Sequence, residues 1–191
     1  MPGARGQAGF CGKLPSRGDH VALGLPRGFV APWNAWLDAI LPPVRATLGV
    51  AWRAAWMEAP IWHFSLPGGQ CGAAAVLGLW MPSMDRVGRL FPLTLAFVAE
   101  GPAPPAEDGG WRAGAEAAGL AALQQDLAPE VLAARLAAIP APGGGTREAG
   151  PARWWTLGAP RVPPARLALD GLPEAELFAG MLLAKRAETM P

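Results

Sequence analysis

Two short stretches concentrate the side chains that could do chemistry. Gly9-Phe10-Cys11-Gly12-Lys13-Leu14-Pro15-Ser16-Arg17-Gly18-Asp19 carries Lys13, Ser16, Arg17 and Asp19. Met81-Pro82-Ser83-Met84-Asp85-Arg86-Val87-Gly88-Arg89-Leu90-Phe91-Pro92-Leu93 carries Ser83, Asp85, Arg86 and Arg89. Each polar group lies between apolar segments. Guanidinium groups suit bidentate contacts with carboxylate or phosphate, so one reading is a charged recognition surface at an edge of a sheet. A second reading takes Lys13, Asp19 and Asp85 as an acid–base or phosphate-handling cluster, which requires them to converge in a concave pocket. A third is structural: Asp19 and Asp85 bond loop amides, and the arginines neutralise them. Spacing alone favours the structural reading.

Other chemistry is weakly signalled. The sequence has no G-x-S-x-G elbow and no H-E-x-x-H pair. Gly9 to Lys13 is too short between its glycines for a phosphate loop, and Leu14 stands where a magnesium-binding Ser or Thr is needed. Cys11, His20, His63 and Cys71 match no zinc spacing. They read as two small buried cysteines and two unrelated histidines. The expectation is no catalytic residue, no metal and no cofactor.

The elements that must position the two loops can be read from apolar spacing and from proline and glycine. Residues 1–8 read as a loose tail, Phe10–Leu14 as a short strand and Pro15–Gly18 as a turn. Trp33, Trp36, Leu37, Ile40 and Leu41 follow one helical face. Pro42-Pro43 should break or kink that helix, and a second helix carrying Val44, Leu48, Trp52 and Trp56 should run to Pro60. Ile61–Leu66 alternates, Ala73–Met81 is apolar on both faces, and Leu90–Val98 alternates with Phe91, Leu93, Leu95 and Phe97 on one side. These three segments should be neighbouring antiparallel strands. The stretch 101–110, with Glu107 and Asp108, reads as a loop. Helices follow, one carrying Leu120, Leu123 and Leu127 and one carrying Leu132, Leu136 and Ile139. The stretch 140–151 is rich in glycine and proline. Arg153–Leu157 reads as a late strand. A last helix opens at Pro173-Glu174, buries Leu177, Phe178, Met181 and Leu182, and ends in Lys185 and Arg186, a charge order that suits the helix dipole. The fold class is α/β in the α+β sense, with a mainly antiparallel central sheet sandwiched by helices in a single domain over residues 1–191.

Composition narrows the function classes. The chain has 191 residues, 51% of them hydrophobic and 16% charged, with a formal net charge of +1. That balance builds a large core and offers no basic field for nucleic acid or anionic lipid. Two cysteines suit a reducing compartment. The start has no apolar leader, and the longest apolar run, Ala73–Met81, falls far short of a membrane helix. A cytoplasmic protein without direct membrane insertion is expected. Nine tryptophans and no tyrosine point to an aromatic core, and any exposed tryptophan would favour a binding surface.

The two loop stretches resemble the TagF (ImpM) family, whose opening motif is close to G-[FY]-[YF]-G-K-[LV]-P-[SA]-x-G-D-F. Trp33-Asn34-Ala35-Trp36-Leu37 and Ala59-Pro60-Ile61-Trp62-His63-Phe64 resemble further segments of it, and Met81–Leu93 resembles its most distinctive motif. The likeness is dense over residues 9–95 and thinner through the helical part, about 111–186, where Trp154-Trp155 and Gly171-Leu172-Pro173 with Phe178 are similar to its end. Cys11 replaces a usual aromatic residue, and His20 a usual Phe. The resemblance implies a post-translational repressor of a bacterial type VI secretion system, acting by binding a forkhead-associated scaffold protein. It brings no catalytic residues, and this chain has no room for the phosphatase domain fused to some relatives. A structural subunit of the secretion apparatus is the other binding role.

Overall fold

The computed structural model describes residues 4–105, 110–143 and 150–184. Their order is β1 (Gly6–Lys13), β2 (His20–Leu23), α1 (Arg27–Leu48), a 3-10 turn at Gly49–Ala51, α2 (Trp52–Met57), β3 (Trp62–Leu66), β4 (Val76–Met81), β5 (Leu93–Ala99), α3 (Trp111–Gln124), α4 (Pro129–Ala137), β6 (Ala152–Thr156), β7 (Ala165–Leu169) and α5 (Ala175–Leu182). The strands form one seven-stranded sheet in the order β2-β1-β5-β4-β3-β6-β7, and every pairing is antiparallel. The α+β sandwich expected from the segment order is the architecture found. The three central apolar segments are neighbours, as expected, because helices cover both of their faces.

Two apolar layers flank the sheet. On one side α1, α2 and α5 bury Phe29, Trp33, Leu37, Val44, Trp56 and Phe178 against Trp62, Phe64, Trp80 and Val98. On the other side α3 and α4 bury Trp111, Ala115, Leu132 and Leu136 against Phe10, Leu79, Leu93, Leu95 and Phe97. Six tryptophans are fully buried, and Trp36, Trp52 and Trp155 are half-buried. Trp33 sits among rings, with Trp36 at 4.7 Å, Phe64 at 4.9 Å and Phe29 at 5.4 Å between centroids. Its indole N–H donates to Thr94 Oγ1 at 3.0 Å, which satisfies the one polar atom it takes out of water.

Several boundaries differ from expectation. The first strand begins at Gly6, because Gly6 to Gly12 pair along β5 from Ala99 to Leu93. Strands β2 and β7 were not anticipated. Both are four- or five-residue edge strands with only alternate positions half-buried, so neither carries a strong apolar signal. Helix α1 does not break at Pro42-Pro43. It holds Pro32, Pro42 and Pro43 and runs on to Leu48. The two carbonyls that Pro42 and Pro43 cannot bond belong to Asp38 and Ala39, which are exposed and therefore open to water. The break comes instead at Gly49, whose φ of 51° lies in the left-handed region.

Phe91 precedes β5 and packs into the α1 layer, whereas Leu93, Leu95 and Phe97 face α3. Helix α3 buries Trp111, Ala115, Ala118, Gly119 and Ala122, while Leu120 is exposed. Small residues let this helix approach the sheet closely: a Cβ on Gly119 would lie 2.7 Å from Met81 Cε. Leu177 is only half-buried, unlike Phe178, Met181 and Leu182. The residues Glu107, Asp108, Lys185 and Arg186 lie outside the described residues.

Candidate functional site

The two loops meet. The first leaves the end of β1 and reaches β2, and the second leaves the end of β4 and reaches β5. Strand β1 pairs with β5 and β5 with β4, so the sheet itself brings them together. Asp85 is the hub. Its side chain is fully buried, and Lys13 Nζ lies 3.0 Å from Oδ2. Oδ1 accepts the amides of Val87 at 3.1 Å and Arg89 at 2.8 Å, and Oδ2 accepts Arg89 Nε at 2.6 Å. The turn closes with the Gly88 amide donating to the Asp85 carbonyl, at a Gly88 φ of 82°. Burial pushes the Asp85 carboxyl up. The Arg89 amide, the Lys13 ammonium and the Arg89 guanidinium outweigh it and hold the carboxyl well below the usual carboxylate range.

The second loop then zips onto the first through three successive carbonyls. Arg86 Nη2 donates to Ser16 O at 3.0 Å, the Arg86 amide donates to Arg17 O at 3.0 Å, and Arg89 Nη2 donates to Gly18 O. Ser83 Oγ donates to Lys13 O at 2.7 Å, and Trp56 Nε1 donates to Ser83 O at 3.0 Å, which ties this junction to the α1–α2 layer. Ser16 Oγ donates to Leu127 O at 2.8 Å in the α3–α4 connection, and Arg17 lies 3.7 Å from Glu130 on α4.

The contacts of Lys13, Ser16, Ser83, Asp85 and Arg89, with the Arg86 bonds to Ser16 O and Arg17 O, therefore hold the loops in shape. Arg17, Asp19 and Arg86 face outward around an open cavity of about 430 Å³ that also takes in Ser16, Val21, Leu23 and Glu130. Asp19 is exposed and, among the described residues, bonds no loop amide, unlike Asp85. Lys13 and Asp85 do not line this cavity, so it does not bring Lys13 and Asp85 together with Asp19. Val87, at the tip of the second loop, is exposed. Glu130 and Leu127 join the site from more than a hundred residues away, a contact that no local pattern in the sequence signals.

The other chemical candidates are dispersed. Cys11 and Cys71 are buried free thiols, and burial pushes both up to about 12, with each other's proximity adding to the shift of Cys11. His20 packs edge-on against Phe91, and His63 Nε2 lies 3.0 Å from Glu116. Among the described residues no group of three metal-ligating side chains gathers.

The comparisons with known proteins fit this geometry. The crystal structure of PA0076 from Pseudomonas aeruginosa PAO1 superposes with a TM-score of 0.82 at 32% identity, covering 96% of this chain and 97% of that one. No curated protein matches the sequence. A family model described as the TagF N-terminal domain, type VI secretion system-associated, matches residues 9–139, which include both loops, strands β2 to β5 with most of β1, and helices α1 to α4. The protein therefore belongs to the TagF family of type VI secretion system-associated proteins.

Proposed function

We propose that this chain is a cytoplasmic regulatory binding protein, without catalytic activity of its own, that restrains type VI secretion by holding a forkhead-associated scaffold protein out of productive assembly. The observation that carries this reading is the construction of the paired loops. A buried carboxylate locks their interior, while Arg17, Arg86 and Val87 stand outward on a frame that loses little freedom on binding. Guanidinium groups at the rim and one apolar tip suit a protein partner with acidic and apolar patches. Among the described residues no helix is long and apolar enough to cross a membrane.

The test is a purified-component titration against the forkhead-associated protein encoded with this system. Arg17→Ala and Val87→Asp should weaken binding while melting temperature stays put, and Arg86→Ala should weaken binding by more than the small loss of stability from its bond to Ser16 O. Absence of binding by a folded wild-type chain would remove the proposal. Stable co-purification with the assembled, active machine would favour a structural subunit instead.

A further inference from the structure

The sheet ends in two edge strands, β2 and β7. An edge strand turns the N–H and C=O of alternate residues away from its neighbour, where another extended chain can pair with them. Proline and charged side chains guard such edges. At β7, Pro163 and Pro164 precede the strand and Arg166 stands within it. At β2, His20-Val21-Ala22-Leu23, there is no Lys, Arg or Pro, and the strand is guarded only by being short. All four residues pair with β1. Among the described residues, β2 makes no main-chain bond outside that ladder.

This open edge borders the paired loops. His20 pairs with Lys13, so the loops lie at the His20 end of the strand. Val21 and Leu23, half-buried on the face toward α4, line the cavity of about 430 Å³ together with Arg17, Asp19, Arg86 and Glu130. Cross-strand neighbours share a face and side chains alternate, so a chain laid along β2 would put every second side chain on the cavity's face. The charges there are lightly engaged. Arg86 commits one donor of its fork to Ser16 O. Arg17 and Glu130 stand 3.7 Å apart with both side chains largely exposed, a pairing that water screens. Asp19 is exposed and, among the described residues, unpaired.

Resting on the reading of the paired loops as the partner's landing surface, we propose that the partner docks an extended segment along β2 as an added strand of the sheet. The segment presents apolar side chains to Val21 and Leu23, and an acidic side chain to Arg17 and Arg86 at its end beside His20. Main-chain bonds supply affinity, and the cavity supplies selectivity. A second copy of this chain fits less well: two β2 edges would pair over four residues only, far less than a stable dimer interface buries.

The test uses the full chain, the whole forkhead-associated protein encoded with this system, and overlapping peptides of about 12 residues that span that protein. Fluorescence anisotropy should find a peptide of alternating apolar and acidic residues that binds saturably and competes with the whole protein. Methylating its alternate backbone amides should abolish binding in one phase and spare it in the other, because only one set faces β2. Amide exchange at residues 20–23 should slow about tenfold or more in the complex. Val21→Asp, checked for folding by thermal unfolding, should weaken the peptide about tenfold. Whole-protein binding with exchange at residues 20–23 unchanged, or peptide binding indifferent to the phase of methylation, would overturn strand addition and leave the reading of the loops standing. No binding by the whole protein would overturn both. A dimer of the chain alone that Val21→Asp dissolves would overturn the assignment by giving this edge to a second copy.

Discussion

Lys13, at the end of β1, points its ammonium to within 3.0 Å of the Asp85 carboxylate in the loop that follows β4. With the two amides and the guanidinium that Asp85 also accepts, this pair fixes the shape of both loops. It separates the residues that hold the loops from those the loops display.

That separation predicts a split between stability and binding. Asp85→Ala should lower the melting temperature by several degrees, because it strands the half-buried Lys13 ammonium and two loop amides without their acceptor. Arg86→Ala, at an exposed position, gives up one side-chain bond to the Ser16 carbonyl and should cost no more than about 1 kcal/mol. Thermal unfolding of the two variants beside the wild type gives the comparison, and equal losses would mean Arg86 belongs to the scaffold.

Acid should weaken the protein partly through the same carboxylate. In the unfolded chain Asp85 takes up a proton near its ordinary value of 3.8, whereas its folded neighbours keep it ionised to lower pH. Its contribution is therefore present above that value and is lost as pH falls toward the folded one. Denaturant midpoints measured from about pH 7 down to about pH 2.5 should decline below about pH 4, with a shallower decline in Asp85→Asn. An unchanged slope in that variant would assign the acid response to other carboxylates.

Gly12 should tolerate no side chain. Its φ is 132°, and a Cβ there would collide with the Pro92 carbonyl oxygen just before the paired strand β5. Backbone strain and overpacking together give an expected cost of at least about 2 kcal/mol for Gly12→Ala, read by denaturant unfolding. A cost below half of that would mean β1 can shift away from β5 at this end.

The thiols should be silent in the folded state. Cys11 and Cys71 are buried and keep their protons at neutral pH, so an alkylating reagent at about pH 8 should leave both unmodified and label both in denaturant. Mass spectrometry counts the adducts. Labelling of Cys11 without denaturant would reveal local opening between β1 and α1.

Much of the fold is legible in the sequence because its signals are local and redundant. Trp62, Phe64 and Leu66 alternate, and Leu132 and Leu136 sit one helical turn apart. The run Val76–Met81 is apolar on both faces and could only be covered on both sides. The signals that misled are those whose outcome depends on surroundings. Pro42 and Pro43 would end a helix whose freed carbonyls were buried, but theirs face water. Leu120 looks like core by type, but the sheet approaches α3 at its alanines and Gly119. Strands β2 and β7 are half-exposed edges whose pairing partners, more than their own residues, make them strands.

For the site, residue order alone says which loops carry charge and supplies their turn chemistry: an aspartate two and four residues before the amides it caps, and a glycine for the left-handed turn. What each charge does follows from how the chain folds. Asp85 and Asp19 look alike in the sequence, but one is buried among donors and the other faces solvent, because burial and hydrogen-bond partners are set by sheet order and not by spacing. The same holds for Arg112, Arg153 and Arg166. They are scattered along the chain, and they line one cavity only because β6 pairs with β7 and α3 begins beside them.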